Sequence, residues 1–324
     1  MREDLLREIE EELEELRRSH EQEEIARKTA ILNSEPEIAA LLTQREQLIH
    51  GTLRDMLRGQ AKAEDLPEKM ARVSAAIREK LQQKGYGEQY LAPIYQCQKC
   101  RDTGYAGDVV KAPCECLLAR YREKIREQMG LSADGNETFE RFDLSVFPDT
   151  PLSSGSDITQ RNLMESVRTL CENWANQYPE NRRRDVLLIG KSGLGKTFLM
   201  HCMANRLLER GKDVLLISSY AFLQSARKSY FENDHGTDEL LQAPVLFLDD
   251  LGSEPLMQNV TIEQLLNLIN ERQSRRLPTV ISTNLSIKEL RTRYTERIAS
   301  RLTDSRNCLV ITLEGQDIRR SGRA

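Results

Sequence analysis

Residues 190–197 read Gly-Lys-Ser-Gly-Leu-Gly-Lys-Thr, a complete G-x-x-x-x-G-K-[ST] phosphate-binding loop. Such a loop works only where a buried strand delivers the chain to it and a helix leaves from it, because the uncapped N–H groups of that helix hold the phosphates. The flanks comply. Asp185-Val-Leu-Leu-Ile189 is a short apolar run, and 196–210 has a helical pattern closed by Gly211. Gly190, Lys191, Ser192, Gly193, Leu194 and Gly195 would curl backbone N–H groups around a nucleotide's phosphates. Lys196 would reach the β- and γ-phosphates, and the Thr197 hydroxyl would bind Mg2+.

From about residue 157 helical and strand patterns alternate. Strands are expected at 186–189, 214–218, 245–248, 279–282 and 308–313, preceded by a helix at 158–178. Short apolar runs that do not alternate, joined by helices, indicate an α/β domain with a five-stranded parallel sheet covered on both faces. The third run ends in two carboxylates. Asp249 suits Mg2+, and Asp250 stands where a general base would polarise water. The fourth ends near Asn284, placed to contact a γ-phosphate or to cap the helix that follows at Ser286. Arginines then cluster at Arg291, Arg293, Arg297, Arg301, Arg306, Arg319, Arg320 and Arg323, with Arg297 and Arg301 spaced i,i+4 on one helical face. A cation so far along the chain suits a neighbouring subunit's γ-phosphate, or a solvated or DNA-facing surface. Tyr220, Phe222, Arg227, Lys228, Tyr230 and Phe231 interleave aromatic and basic residues. That pattern fits a base-stacking surface, and equally an amphipathic helix with Phe222 and Phe231 in the core.

Residues 1–94 are rich in Glu, Arg, Lys, Gln, Leu and Ala, which predicts a helical hairpin or small bundle. Leu6, Ile9, Leu13 and Leu16 share one face. The heptad then reaches His20 and Glu23, so a long coiled coil is not supported. Pro36, Gly51, Gly59 and Pro67 mark expected turns. In the 95–130 segment, Cys97-Gln-Lys-Cys100 is followed by Cys114-Glu-Cys116 and then a helix at 117–129. Two close pairs with no histidine nearby make Cys97, Cys100, Cys114 and Cys116 a structural Zn2+ site, since four thiolates leave no position for water or substrate. Cys171, Cys202 and Cys308 fall on core patterns. The 131–156 stretch reads as a linker in which Phe139, Phe142 and Phe147 anchor onto a 157–324 ATPase domain.

The formal net charge of −4 argues against a globally basic nucleic-acid binder. No apolar run approaches the roughly 20 residues of a membrane span, and the charged N-terminus does not read as a signal peptide, so a cytoplasmic protein with reduced cysteines is expected.

In order along the chain stand Gly190–Thr197, Leu-Asp-Asp-Leu-Gly-Ser-Glu-Pro at 248–255, Ser282-Thr-Asn-Leu285 and Glu296-Arg-Ile-Ala-Ser-Arg-Leu302. This series resembles the DnaC/DnaI-type bacterial helicase loaders, a branch of the AAA+ ATPases. The likeness covers roughly 157–324 and extends to Cys-x-x-Cys-x-Asp-Thr-Gly-Tyr at 97–105, similar to the zinc region of DnaI-like members. It implies a Mg2+-ATP site with Lys196 and Thr197 as Walker A, Asp249 and Asp250 as Walker B and Asn284 as sensor 1. Arg301, with Arg297 beside it, matches an arginine finger acting on a neighbouring subunit, and Arg319 matches sensor 2. Many AAA+ proteins carry Glu where this chain has Asp250, which implies slow hydrolysis, and too few residues follow Asn284 for a full helical lid. The resemblance further implies that residues 1–94 grip a hexameric replicative helicase, that the ATPase domain self-associates, and that it binds single-stranded DNA. An IstB-type transposition helper would share the core motifs without the cysteine pattern. A P-loop small-molecule kinase would share the loop but need neither zinc nor a trans arginine.

Overall fold

The structure is a computed structural model and describes residues 2–57, 66–130, 137–153, 157–232 and 237–320. It forms two compact units, Arg2–Tyr121 and the chain from Arg122 onward.

The first unit opens with α1 (Glu3–Ser34), α2 (Pro36–Leu57) and α3 (Leu66–Gln83). Pro36 occupies the first position of α2, where its missing N–H is no loss. Gly51 does not make the expected turn and lies inside α2. A lone glycine costs a helix only about 1 kcal/mol relative to alanine, less than the surrounding helix formers supply. Gly59 lies outside the described residues. On α1 Ile9 and Leu13 of the expected face are buried, joined by Leu5, while Leu6 and Leu16 are half-buried at the margin of the same face. Ile31, Ile38, Leu42, Val73, Ile77 and Leu81 form a core, with Tyr86 and Tyr90 packed against it. A two-stranded antiparallel hairpin follows, β1 (Tyr105–Ala106) with β2 (Ala112–Pro113), and leads into α4 (Glu115–Gln128).

The second unit contains α5 (Gln160–Gln177), β3 (Asp185–Ile189), α6 (Lys196–Glu209), β4 (Val214–Ser218), α7 (Ser219–Glu232) and α8 (Asp238–Gln242). It continues with β5 (Val245–Leu251), α9 (Gln258–Ser274), β6 (Thr279–Thr283), α10 (Ile287–Tyr294), α11 (Glu296–Leu302) and β7 (Cys308–Thr312). Five parallel strands lie in the order β4-β5-β6-β3-β7, the α/β sheet expected of an AAA+ ATPase. All residues of β6 are buried, which is why the apolar runs do not alternate. The phosphate-loop strand β3 and the acidic strand β5 flank β6, so three strand ends converge on one edge of the sheet.

Phe139, Phe142 and Phe147 are buried as anchors. Phe142 stacks on Phe147 at 5.7 Å and meets Phe198 edge-on at 5.6 Å. Cys171, Cys202 and Cys308 are core residues. Arg272 is wholly enclosed and donates to the Thr279 hydroxyl and to the carbonyls of Leu240, Ala243 and Pro278. It thus ties α8, α9 and the start of β6 together, and burial lowers its pKa to about 10.

Candidate functional site

The loop after β3 turns through two glycines with positive φ, Gly193 at 78° and Gly195 at 84°. At Gly193 a side chain would be strained by the positive φ, and its Cβ would fall 1.8 Å from the Asp317 carboxylate, which would have to move. Gly195 caps α6 with no side-chain partner, leaving the helix's first N–H groups directed at the cleft. Lys196, nearly buried, donates to the carbonyls of Gly190 at 2.7 Å and Lys191 at 3.0 Å and to Asn284 Oδ1 at 2.6 Å. Its partners are all neutral, and burial pulls its pKa down. An anion in the cleft would relieve both conditions.

On a regular strand, adjacent residues face opposite sides of the sheet, so Asp249 and Asp250 would not both reach the cleft. A register shift between Leu248 and Leu251 in the β5–β6 pairing removes that obstacle. Asp250 takes φ +57°, its N–H donates to Ser282 Oγ at 2.8 Å, and its carbonyl accepts from Ser219 Oγ at 2.7 Å. Asp249 then meets the Thr197 hydroxyl at 2.9 Å and also accepts from Ser282. Thr197 and Asp249 thus offer adjacent oxygens of the hard kind that Mg2+ prefers. Asn284 spans the cleft, donating through Nδ2 to Asp250 at 2.6 Å while accepting from Lys196. It does not cap the following helix. Ser286 does, in a reciprocal capping box with Glu289.

These groups, with Ser192 and Arg319, line one cleft of about 360 Å3. Arg319 donates to Ser192 Oγ at 2.7 Å and pairs with Asp317 at 3.1 Å. Ile318 N–H bonds the Gly193 carbonyl at 3.0 Å, so the 317–319 segment lies against the phosphate loop. Beside it an apolar recess of about 190 Å3 is lined by Phe142, Phe147, Phe198 and Ile318. Arg297 and Arg301 are not in the cleft of their own chain. Arg301 donates to Asn270 on α9 at 2.6 Å and to the Arg297 carbonyl at 3.0 Å. On α7, Phe222 is in the core and cannot stack a base, Tyr220 is exposed beside exposed Arg227 and Lys228, and the side chains of Tyr230 and Phe231 lie outside the described residues.

The second candidate site belongs to the first unit. The sulfurs of Cys97, Cys100, Cys114 and Cys116 all lie within 4.8 Å of one another, with Cys97–Cys114 at 3.8 Å and Cys100–Cys116 at 3.3 Å. A tetrahedral Zn–S4 centre with bonds of about 2.3 Å has sulfur–sulfur edges of about 3.8 Å, so the cluster fits the ion. Burial pushes the Cys100 and Cys116 thiols up, whereas the Cys100 backbone N–H draws Cys97 down to about 7. A coordinated metal would hold all four as thiolates.

Asp102, which the sequence shows only as the Asp of Cys-x-x-Cys-x-Asp-Thr-Gly-Tyr, organises the cysteine cluster. It is buried, with φ +60°, and accepts from the N–H groups of Gln96 at 2.9 Å and Cys97 at 2.7 Å and lies 3.2 Å from His20 Nδ1 on α1. Gly104 is equally constrained, since a Cβ there would lie 2.7 Å from Leu117 Cδ1 and 2.9 Å from Leu13 Cδ1. The Asp and Gly of Cys-x-x-Cys-x-Asp-Thr-Gly were visible signals whose partners were not.

Comparison with known proteins bears on this geometry. Residues 137–323 match the model of the IstB-like ATP binding protein family. The replicative helicase loader DnaI of Bacillus subtilis (strain 168) is 33% identical over 116 residues, 35% of this chain and 37% of that protein. The replicative helicase loader DnaC of Escherichia coli (strain K12) is 31% identical over 154 residues, 43% of this chain and 61% of that protein. The aligned region therefore spans less than two thirds of either relative. A crystal structure of DnaI is 22% identical, covers 61% of this chain and 99% of that one, and has a TM-score of 0.42. Among the described residues no helix is long and apolar enough to cross a membrane.

Proposed function

Because this chain belongs to the IstB-like ATP-binding protein family, we propose that it is an ATP-dependent loader that holds a hexameric replicative helicase and helps place it on single-stranded DNA. The observation that carries the reading is the joining, in one chain, of the 190–197 cleft with sequence likeness to two replicative helicase loaders. On this reading the apolar recess beside Phe198 takes the base, and the α6 N–H groups, Lys196 and Arg319 take the phosphates. Thr197 and Asp249 would hold Mg2+, which when bound would supply charge neutralisation at the phosphate oxygens. Asn284 orients a water and Asp250 accepts its proton as the water oxygen bonds to the γ-phosphorus and the bond to the bridging oxygen breaks. Asp250 is one methylene shorter than Glu and is already held by Asn284, which favours slow turnover.

Arg297 and Arg301 lie outside their own cleft, which supports a site completed by an arginine of a neighbouring subunit. DNA contact falls to Tyr220, Arg227 and Lys228, exposed together on α7. The helicase falls to the first unit. On α1, Ile25 and Leu32 are 65% and 42% exposed, and their seven-residue spacing puts them on one face. The cysteine cluster would bind Zn2+ and stiffen that unit. The protein would work in the cytoplasm.

The test is co-elution of the full chain with the replicative helicase of the same cell, with and without ATP. The reading expects a stable complex that Ile25→Asp with Leu32→Asp weakens. The IstB-like family match favours one other reading, a transposition helper. Capture of a transposase and not the helicase would establish it and remove ours.

A further inference from the structure

Four residues beyond Asp250 the chain buries a carboxylate that plays no part in the phosphate cleft. Glu254 is 1% exposed. Its Oε2 accepts the Gly252 N–H at 2.9 Å and its Oε1 accepts the hydroxyl of Tyr294, the fully buried last residue of α10. The neighbouring Arg293 donates to the Glu254 carbonyl, stands 3.8 Å from Oε1 and lies over the Tyr294 ring at 5.5 Å. The loop that leaves the catalytic carboxylates is thereby clamped to the end of α10.

Strained backbone stands on both sides of this clamp. Asp250 has φ +57°, and Thr295, directly after Tyr294, has φ +80°. A β-branched residue in that region is an outlier that persists only where the surroundings hold it. Thr295 is the joint between α10 and α11, and α11 carries Arg297 and Arg301. A buried ionic and hydroxyl cluster adds little stability over an apolar core of the same volume. Its distinctive contribution is direction, because each member accepts only one arrangement of the others.

We propose that Glu254, Tyr294 and Arg293 form a positioning clamp that couples the Asp249–Asp250 loop to α11, and so sets the arginine that one subunit presents to the nucleotide of the next. The proposal rests on the trans-arginine reading above. Glu254 touches no reacting atom and acts through α11. The clamp links the acid loop of one subunit's site to the arginine it lends to another, so adjacent sites sense each other's state.

The experiment uses the full chain and mixes variants in equal amounts. Tyr294→Phe removes only the hydroxyl, and Glu254→Gln removes the charge at constant size. Each should lower kcat by about 10- to 100-fold, as misplaced groups do, while ATP affinity stays within about twofold. The double variant should lose no more than the worse single one. Lys196→Ala subunits cannot use their own site but keep an intact α11. Mixed with Tyr294→Phe subunits they should restore about a quarter of the wild-type rate, the fraction of interfaces that pair a working cleft with a working donor. Arg301→Ala and Arg297→Ala, each mixed with Lys196→Ala, provide the control. If an arginine variant is complemented and Tyr294→Phe and Glu254→Gln are not, the clamp is overturned while the trans arginine stands. If neither arginine variant is complemented, the trans-arginine reading fails and the clamp with it. Unchanged kcat in both clamp variants also overturns it.

Discussion

The two units hold their chemistry in place by different means. In the second, β3, β5 and β6 are enclosed by helices, and the cleft is an edge of that packed sheet. In the first, the 97–116 segment has two strands of two residues each, and its geometry comes from four converging sulfurs and one buried carboxylate. A packed sheet keeps its shape with an empty ligand site, because burial of apolar area stabilises it. A short hairpin with a cysteine cluster cannot, because ligand binding there is folding free energy. The phosphate site would therefore be built before its ligand arrives, whereas a bound Zn2+ would itself build the cysteine module.

The largest effect should come from removing the metal. Zinc binding to such sites is worth about 10–16 kcal/mol in small modules, so a chelator, or Cys97→Ser, should abolish amide-exchange protection across 97–116 and leave β3 to β7 protected. Protection of 97–116 that survives chelation would show that the hairpin holds its shape without a metal. The next effect probes the sheet unit. Arg272→Leu strands the Leu240 and Ala243 carbonyls, each at about 1–3 kcal/mol, while the Pro278 carbonyl keeps the Leu246 N–H. The melting temperature of the second unit should fall by roughly 4–24 °C, at about 2–4 °C per kcal/mol for this size, with zinc affinity unchanged. A smaller effect sharpens the first unit. His20→Ala removes the group on α1 that faces Asp102 and should weaken zinc by no more than about 10-fold, the low end for groups beyond the ligands. Competition with a colorimetric chelator reads that change, and a loss as large as that of Cys97→Ser would make His20 part of the site itself.

The legible parts of the molecule share one property: their signals are local. Gly190–Thr197 lies within one turn, and the five strands emerged within a few residues of their observed ends because each is a short apolar run. The cysteine pairs were likewise local, and their meeting needed only one hairpin. What could not be read pairs residues across long separations with no spacing rule. Asp102 meets His20 across 82 positions and Glu254 meets Tyr294 across 40. The bulge that turns Asp249 and Asp250 together was also hidden, because two adjacent carboxylates at a strand end look the same with or without it. Gly51 misled because glycine is a turn signal only where neighbouring helix formers do not outvote it. Arg301 was singled out by its late place in the chain and by the family resemblance, and neither signal could show that its own-chain partner is Asn270.

On the loader reading, the 190–197 site controls delivery of a partner and not the making of a product. The direct measurement is the amount of helicase deposited on circular single-stranded DNA, read as unwinding of an annealed strand, with wild-type chain and with Lys196→Ala. Wild-type chain with ATP should raise unwinding well above helicase alone, and Lys196→Ala should still bind helicase without raising it. Equal unwinding with and without the chain, or full stimulation by Lys196→Ala, would contradict that reading.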